Sequence, residues 1–356
     1  MHNEIYYRLR EQLDEYSFGF PSTESGIELK ILEKLFTEEE AEIFLALTPQ
    51  LQTPEEVAQR LDRDLDEVAS LLEDMVEKGL LFRLRKKDVS KYGAPAFVAG
   101  IYEFQLPTID REFALMIEQY GNEAFHKATA KGASLFLRPI PINRSLDVSY
   151  QVAPYEDARE ILKNAKLIAV AKCICRVQQG LVNKGCDKPL EVCFLFGSNG
   201  QYYLDRDMAR QITSDEALKI LEQAQEAGLV NQPATSQNPG GMCMCCGDCC
   251  GVLRALNKLP RPVENVFSNY FAVVDDELCT GCETCLDRCQ MEAISINEET
   301  IAQVNLDRCI GCGLCVTTCP DEAVSLKSKP DDKRFVPPAS SREQWALLAE
   351  KRGKSL

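Results

Sequence analysis

The sequence predicts an α+β protein made of several domains. Its 356 residues exceed the ~100–200 residues of one ordinary domain. In the first third, apolar residues recur at helical spacing between capping signals, whereas short apolar runs such as residues 166–171 predict buried strands further along. All seventeen cysteines follow residue 172, which separates a helical front from a thiol-rich remainder.

Composition and charge disfavour several classes of protein. No apolar stretch approaches the ~20 residues that a membrane helix needs, and the first residues lack the basic segment and apolar run of an export signal. We therefore expect a cytoplasmic protein whose cysteines bind metal rather than form disulfides. The net charge of −15 disfavours nucleic acid and anionic membranes and favours a redox partner protein with a basic docking surface. A homo-oligomer is compatible with the sequence.

Residues 37–106 predict three helices followed by a hairpin. Thr37 and Thr53 each begin a helix as an N-cap with acids in the first turn. A third helix with regular apolar spacing runs from Leu65 to the glycine cap Gly79. This order resembles the winged helix-turn-helix domain, which implies DNA binding through the third helix.

The charges of the third helix argue against DNA binding. Between residues 65 and 77 it carries five acids and no base: Asp66, Glu67, Glu73, Asp74 and Glu77. Helices that enter the major groove approach two rows of phosphates and carry Lys or Arg. We therefore expect this winged-helix-like domain to dock on a protein. The hairpin does hold bases that could touch phosphate: Arg83, Arg85, Lys86, Lys87 and Lys91.

Nine cysteines lie in the central domain, residues 107–268, which we expect to be α/β. A predicted strand leads into Cys173-Ile-Cys175-Arg176, and residues i and i+2 of an extended chain face the same side, so both thiols can meet one metal. The ligands expected around one additional metal centre are Cys173, Cys175, Cys186 and Cys193. Further or shared ligands are Cys243, Cys245, Cys246, Cys249 and Cys250. A set that mixes Cys173 or Cys175 with these five stays open.

Three functions compete for the nine central cysteines. The first, and the best fit, is an additional [4Fe-4S] cluster. The later cysteines described below predict two other clusters, and electron transfer needs closely spaced centres. A zinc site is the second reading, since four thiolates suit zinc equally well. The third is a redox-active dithiol at Cys246 and Cys249, where a helix start would lower a thiol pKa. The cysteine-dense segment behind an acidic winged-helix front resembles iron–sulfur proteins of anaerobic bacteria, and this resemblance implies no particular activity.

The most specific motif of the chain lies in residues 279–319. The spacing C-x2-C-x2-C-x3-C occurs there twice, thirty residues apart. A cubane iron–sulfur cluster needs one thiolate for each of four iron corners. Three cysteines at this spacing wrap three corners, and the fourth points to the other cluster.

This repeat resembles the bacterial-type ferredoxin with two [4Fe-4S] clusters, over roughly residues 270–330. The resemblance implies a first ligand set of Cys279, Cys282, Cys285 and Cys319. It implies a second set of Cys309, Cys312, Cys315 and Cys289. One departure is Gln290, where the family usually has proline after the fourth cysteine. Zinc at these eight positions is disfavoured, because zinc ribbons use paired C-x2-C knuckles.

The expected function is electron transfer through low-potential [4Fe-4S] clusters, as a soluble carrier or a subunit of a cytoplasmic oxidoreductase in anaerobic metabolism. The alternatives are an iron–sulfur redox-sensing transcriptional regulator and a reductase with its substrate in the central domain. No dinucleotide fingerprint, P-loop or nucleophile–histidine pattern is present, so no catalytic residue is assigned. The expected segments are a helical lead-in (1–36), a winged-helix-like domain (37–106), the central domain (107–268), a ferredoxin-like dicluster domain (269–330), and a linker with a terminal helix (331–356).

Overall fold

The computed structural model describes residues 3–17, 19–87, 89–128, 136–142 and 153–354. It mixes helices and sheets, in agreement with the expected α+β class. Within the described residues, no helix combines the length and the apolar character required to cross a membrane.

Five helices and a hairpin form the front of the molecule. They are α1 (Glu4–Glu15), α2 (Ile27–Leu35), α3 (Glu38–Ala46), α4 (Pro54–Leu61), α5 (Leu65–Glu77), β1 (Phe82–Lys86) and β2 (Val89–Gly93). The N-caps predicted at Thr37 and Thr53 are confirmed, and each forms a capping box. Gly79 follows α5 with a φ of +74°. The element order is the one on which the winged-helix expectation rests, and that family assignment stays a prediction.

The core of the front does not follow the expected boundary at residue 36. Leu9 and Leu13 of α1 are fully buried in the same apolar cluster as Phe44 and Val68. The lead-in therefore packs as part of the front unit. The cluster continues into the central region through Tyr202, whose hydroxyl donates a 2.8 Å hydrogen bond to the Leu81 carbonyl.

A five-stranded sheet forms the centre of the molecule. Its strands are β3 (Ile168–Lys172), β4 (Glu191–Phe196), β5 (Ala209–Ile212), β6 (Val230–Pro233) and β7 (Gly241–Cys245), in the order β5-β3-β4-β7-β6. The strand expected at residues 166–171 is confirmed. All four pairings are antiparallel, so the sheet differs from the parallel sheet that an α/β domain usually has.

Helices surround this sheet and connect it to the front. They are α6 (Tyr102–Phe104), α7 (Arg111–Tyr120), α8 (Ala158–Asn164), α9 (Ile174–Leu181), α10 (Gly197–Asp205), α11 (Ser214–Glu226) and α12 (Gly251–Asn257). Glu118 of α7 joins three of these elements. Its carboxylate accepts hydrogen bonds from Gln179 of α9 at 2.7 Å, from Lys184 at 3.0 Å, and from Arg254 of α12 at 2.7 and 2.9 Å.

Two small antiparallel ribbons and one short helix form the C-terminal region that contains the last eight cysteines. They are β8 (Tyr270–Val274) with β11 (Val324–Ser328), β9 (Ile294–Ile296) with β10 (Ala302–Val304), and α13 (Thr284–Arg288). The terminal helix α14 (Ser341–Lys351) is capped by Ser340, whose side chain accepts a hydrogen bond from the N–H of Glu343. It docks on its own chain, where Trp345 lies 6.2 Å from the ring of Phe136.

Candidate metal centres

Two cavities in the C-terminal region are each lined by four cysteines. The first is lined by Cys279, Cys282, Cys285 and Cys319. The second is lined by Cys289, Cys309, Cys312 and Cys315. Their empty volumes, which include space open to solvent, are similar at ≈ 320 and ≈ 380 Å³. In each case one loop supplies three thiols and the other half of the repeat supplies the fourth. We call these groups the first set and the second set.

The backbone around both cavities leaves no room for extra side chains. Gly281 and Gly311 have φ values of +69° and +65°, which L side chains rarely adopt. A Cβ on Gly281 would lie 2.2 Å from the carbonyl oxygen of Thr300, and one on Gly311 would lie 2.2 Å from that of Tyr270. The two loops therefore need glycine to wrap this closely around whatever the thiols hold.

Backbone amides donate to the thiol sulfurs of both sets. The N–H groups of Ala302 and Ala272 donate to the sulfurs of Cys279 and Cys309 at 3.4 Å. The N–H of Ala293 donates to Cys289 at 3.2 Å. Such bonds stabilise sulfur that carries negative charge, and in iron–sulfur proteins they help to set the reduction potential. The donors fit a thiolate-bound cluster.

The two sets differ in their exposure. Cys282 of the first set is exposed, and a hydrogen bond with Thr284 lowers its pKa. In the second set, burial raises the pKa of Cys312 to about 12. A thiol with such a pKa ionises near neutral pH only when a metal takes the place of its proton. The second set is therefore an inner site and the first an outer site.

The second set borders the central cysteines. Cys289, Cys309 and Cys312 pack against one apolar cluster that also contains Cys245 and Cys250. Gln290, the residue that departs from the ferredoxin pattern, crosses this boundary. Its side-chain oxygen accepts a 2.7 Å hydrogen bond from the N–H of Gly247, and its carbonyl accepts one of 2.9 Å from Asn257.

The C-x-C-R segment has a different local structure from the one expected. Strand β3 ends at Lys172, Cys173 is the N-cap of α9, and Cys175 lies in the first turn of that helix. The argument from two residues facing one side of a strand was therefore wrong. The two thiols still interact, because the Cys175 side chain and the nearby Arg176 lower the pKa of Cys173 to about 7.

Three central cysteines form a compact group, which we call the thiol triad. The Cys186 sulfur lies 3.8 Å from that of Cys246 and 3.6 Å from that of Cys249. All three sulfurs lie within 4.8 Å of one another. The hydrogen bond from Cys249 and the charge of Arg176 lower the pKa of Cys246 to about 5, and the same bond raises the pKa of Cys249.

Four other central cysteines form a row along the sheet, which we call the thiol row. Cys193 of β4 lies opposite Cys243 of β7, so their side chains interact. Cys243 also interacts with Cys245, and Cys245 with Cys250. These interactions between neighbouring thiols, together with burial, raise the pKa of Cys243, Cys245 and Cys250 well above the usual range.

These contacts divide the four cysteines that the sequence analysis expected to share one metal, Cys173, Cys175, Cys186 and Cys193, between different groups. Cys186 lies with Cys246 and Cys249, whereas Cys193 lies with Cys243 in the sheet. Cys186 and Cys193 thus each lie beside cysteines of segment 243–250, whereas the mixed set left open by the sequence joined that segment to Cys173 or Cys175.

Arg176 is the functional candidate that the sequence analysis did not single out. It is 3% exposed, and its guanidinium donates 2.8 Å hydrogen bonds to the carbonyls of Pro189 and Met244. Its charge also acts on Cys173, Cys245 and Cys246. A buried arginine offsets the negative charge that ionised thiols would bring into this interior. The signal was present in the sequence, since arginine directly follows Cys175.

Comparison with protein families identifies one part of the chain. Residues 272–326 match the model of the 4Fe-4S dicluster domain. The matched segment begins in β8 and ends in β11, so it contains all eight cysteines of the first and second sets. No curated protein and no solved structure matches the chain. The C-terminal region is therefore similar to a 4Fe-4S dicluster domain, and the match does not extend to the front or the centre.

Proposed function

We propose that the protein transfers electrons through two [4Fe-4S] clusters held by the first and second sets. The observation that carries this proposal is the pair of cavities, each lined by four thiols from both halves of the repeat. A bound cluster supplies a one-electron couple, commonly at low potential in ferredoxins. The residues of the chain hold it, donate N–H groups to its thiolates and separate an outer site from an inner one.

Electrons enter at the first set in this proposal. Cys282 is exposed, and the surface around it is acidic. Glu283 and Asp321 line the same cavity as Cys282, and further exposed carboxylates lie close to it in the sequence: Asp275, Asp276, Glu277 and Asp287. A partner protein with a basic docking surface complements this rim, and opposite charges speed its encounter.

The central thiols are the proposed destination of the electrons. The second set shares an apolar cluster with Cys245 and Cys250, which belong to the thiol row. A third redox centre in that row would receive electrons within the same molecule. The protein would then work as a carrier or as a subunit of a cytoplasmic oxidoreductase in anaerobic metabolism.

The test is a metal count and a spectrum on full-length protein purified without oxygen. We expect at least about eight irons per chain and an EPR signal from two interacting reduced clusters. Cys282→Ser should lose about four irons and convert the interaction signal to that of an isolated cluster. Zinc in place of iron, in protein never exposed to air, would contradict the proposal.

A further inference from the structure

The spacing of the thiol triad differs from the spacing that a cubane cluster needs. A metal with four thiolates at about 2.3 Å in a tetrahedron holds its ligand sulfurs about 3.8 Å apart. The Cys186 sulfur lies 3.8 Å from Cys246 and 3.6 Å from Cys249. In a cubane each thiolate binds a different iron, so its sulfurs lie further apart. The triad has the spacing of ligands to one metal ion.

The same molecule provides an internal comparison. In the part of the chain that the structure describes, the triad is the only group of three candidate ligands whose donor atoms all lie within 4.8 Å. The first and second sets do not meet this limit, and they surround cavities of ≈ 320 and ≈ 380 Å³ instead. The fold therefore distinguishes sites wide enough for a cluster from one narrow site.

The surroundings of the triad are those of a fixed metal site. Cys246 and Cys249 are 1% and 2% exposed and form a C-x2-C turn, the usual zinc knuckle spacing. The bond from the Gly247 N–H to Gln290 holds that turn at its second residue. Arg176 and Lys188 bring positive charge towards the triad, and Lys188 pairs with Asp248 at 2.9 Å.

We propose that Cys186, Cys246 and Cys249 hold one Zn²⁺ ion as thiolates. Soft thiolate ligands suit zinc, and a fourth ligand such as water would complete the tetrahedral shell. Zinc has no redox chemistry of its own here, so the ion would fix the loop between β7 and α12 and leave electron transfer to the clusters. This site is independent of the electron-transfer function proposed above, and either assignment can fail without the other.

The experiment measures zinc and iron per chain in full-length protein purified without oxygen. We expect about one zinc per chain, bound in wild-type protein with a sulfur shell at about 2.3 Å by X-ray absorption at the zinc edge. Cys186→Ser, which changes the least buried member of the triad, should lose the zinc and keep its iron. Cys193→Ser is the matched control, because it removes a thiol of the row, and it should keep the zinc.

Several outcomes would overturn the proposal. A wild-type protein without zinc, or with zinc in an oxygen and nitrogen shell, would do so even if Cys186→Ser fails to fold. Loss of about four irons from Cys186→Ser would assign the triad to a cluster. A zinc-free wild type in which Cys246 and Cys249 form a disulfide on mild oxidation would identify a redox-active dithiol instead.

Discussion

At Gly281 the loop of the first set leaves no space for a side chain, and at Glu118 one carboxylate joins three helices. Both residues act through the backbone or the scaffold rather than as ligands. Gly281 has a φ of +69° and lies against the Thr300 carbonyl. Glu118 is 8% exposed and pairs with Arg254 of α12, the helix that follows the central cysteines. The role of each residue can be tested by one substitution together with a matched control substitution.

Gly281→Ala should disrupt the first set. The left-handed conformation costs an alanine about 1–2 kcal/mol, and its Cβ would clash with the Thr300 carbonyl at 2.2 Å. We expect about four irons fewer per chain, measured after anaerobic purification. Gly180→Ala is the control, because a Cβ there meets nothing within 4 Å. Full iron content in Gly281→Ala would show that the loop tolerates a side chain.

Glu118→Gln should reduce stability in a pH-dependent way. The bonds from Arg254, Gln179 and Lys184 hold the pKa of Glu118 well below its usual range. A carboxyl whose pKa is lower in the folded state stabilises the fold above its unfolded pKa, ~4.3, and loses this contribution as the pH falls further. The variant should be less stable by about 3 kcal/mol at pH 7, because it leaves Arg254 unpaired.

Denaturation midpoints from pH 7 down to about pH 2 check this prediction for Glu118→Gln. The difference from wild type should shrink towards pH 4 and below. Glu226→Gln, at an exposed carboxylate of α11, should change stability by less than about 0.5 kcal/mol. A difference between Glu118→Gln and wild type that does not depend on pH would contradict the assigned pairing.

At the scale of elements, hydrogen bonds join α5 to the β1–β2 hairpin. Arg83 of the hairpin is 7% exposed and donates to Glu73 of α5, and the Tyr92 hydroxyl donates to the same carboxylate. One of the bases that could touch phosphate is thus internal. Asp66, Asp74 and Glu77 of α5 remain exposed, which leaves an acidic helix surface.

We predict that the protein shows no sequence-specific DNA binding at physiological salt. The exposed acids of α5 would repel phosphates. Gel-shift titration checks this, since specific complexes form at ~10⁻⁸ M or tighter. A salt-resistant, sequence-specific shift at that concentration would support the alternative function, a redox-sensing transcriptional regulator.

A protein partner that docks on α5 should lose affinity when Asp66 and Asp74 are changed to lysine. A change at Glu73 would also disrupt the hairpin.

Gln290→Ala should weaken the contact between the second set and the loop between β7 and α12, which carries two cysteines of the triad. It leaves the Gly247 N–H without its 2.7 Å acceptor, and a lost bond of this kind costs about 1–3 kcal/mol. We expect faster hydrogen exchange at Gly247 and a lower denaturation midpoint. Gln303→Ala, at an exposed site of β10, should change neither. Unchanged exchange at Gly247 in Gln290→Ala would show that another group holds this loop.

At the scale of the whole molecule, the surface charge and the burial of the two thiol sets predict a direction of electron transfer. The chain carries a net charge of −15, and the first set lies beside a rim of exposed carboxylates. The inner site faces the central thiols across a shared apolar cluster. An electron that enters from a basic partner would therefore approach the rim first and the centre last.

Charge reversal at the rim should change the rate of electron uptake. Asp276→Lys with Glu283→Lys should slow reduction by a cationic reductant, reduced methyl viologen, and speed reduction by the dithionite anion. Stopped-flow rates at low ionic strength should differ from wild type by about tenfold or more, and the effect should fade with added salt. Asp66→Lys with Glu77→Lys, on α5, is the charge-matched control. Equal effects of both pairs would place the entry site elsewhere.

The sequence by itself determined the local features of this protein. The capping boxes at Thr37 and Thr53 and the strand before Cys173 follow from side-chain chemistry within a few residues. The 4Fe-4S dicluster region was also readable, because eight cysteines at fixed spacing encode their own loop geometry. The family match to residues 272–326 agrees with that interpretation.

Only the tertiary structure decided how the central cysteines meet. Cys186 and Cys246 are sixty residues apart in the chain and 3.8 Å apart in space, and no periodicity reports such a contact. The antiparallel order of the sheet places Cys193 opposite Cys243, whereas short apolar runs do not specify which strands pair. The role of Gln290 was hidden for the same reason: its partner, Gly247, lies forty-three residues earlier in the chain. Long-range contacts depend on how whole elements pack, and local spacing carries no record of that packing.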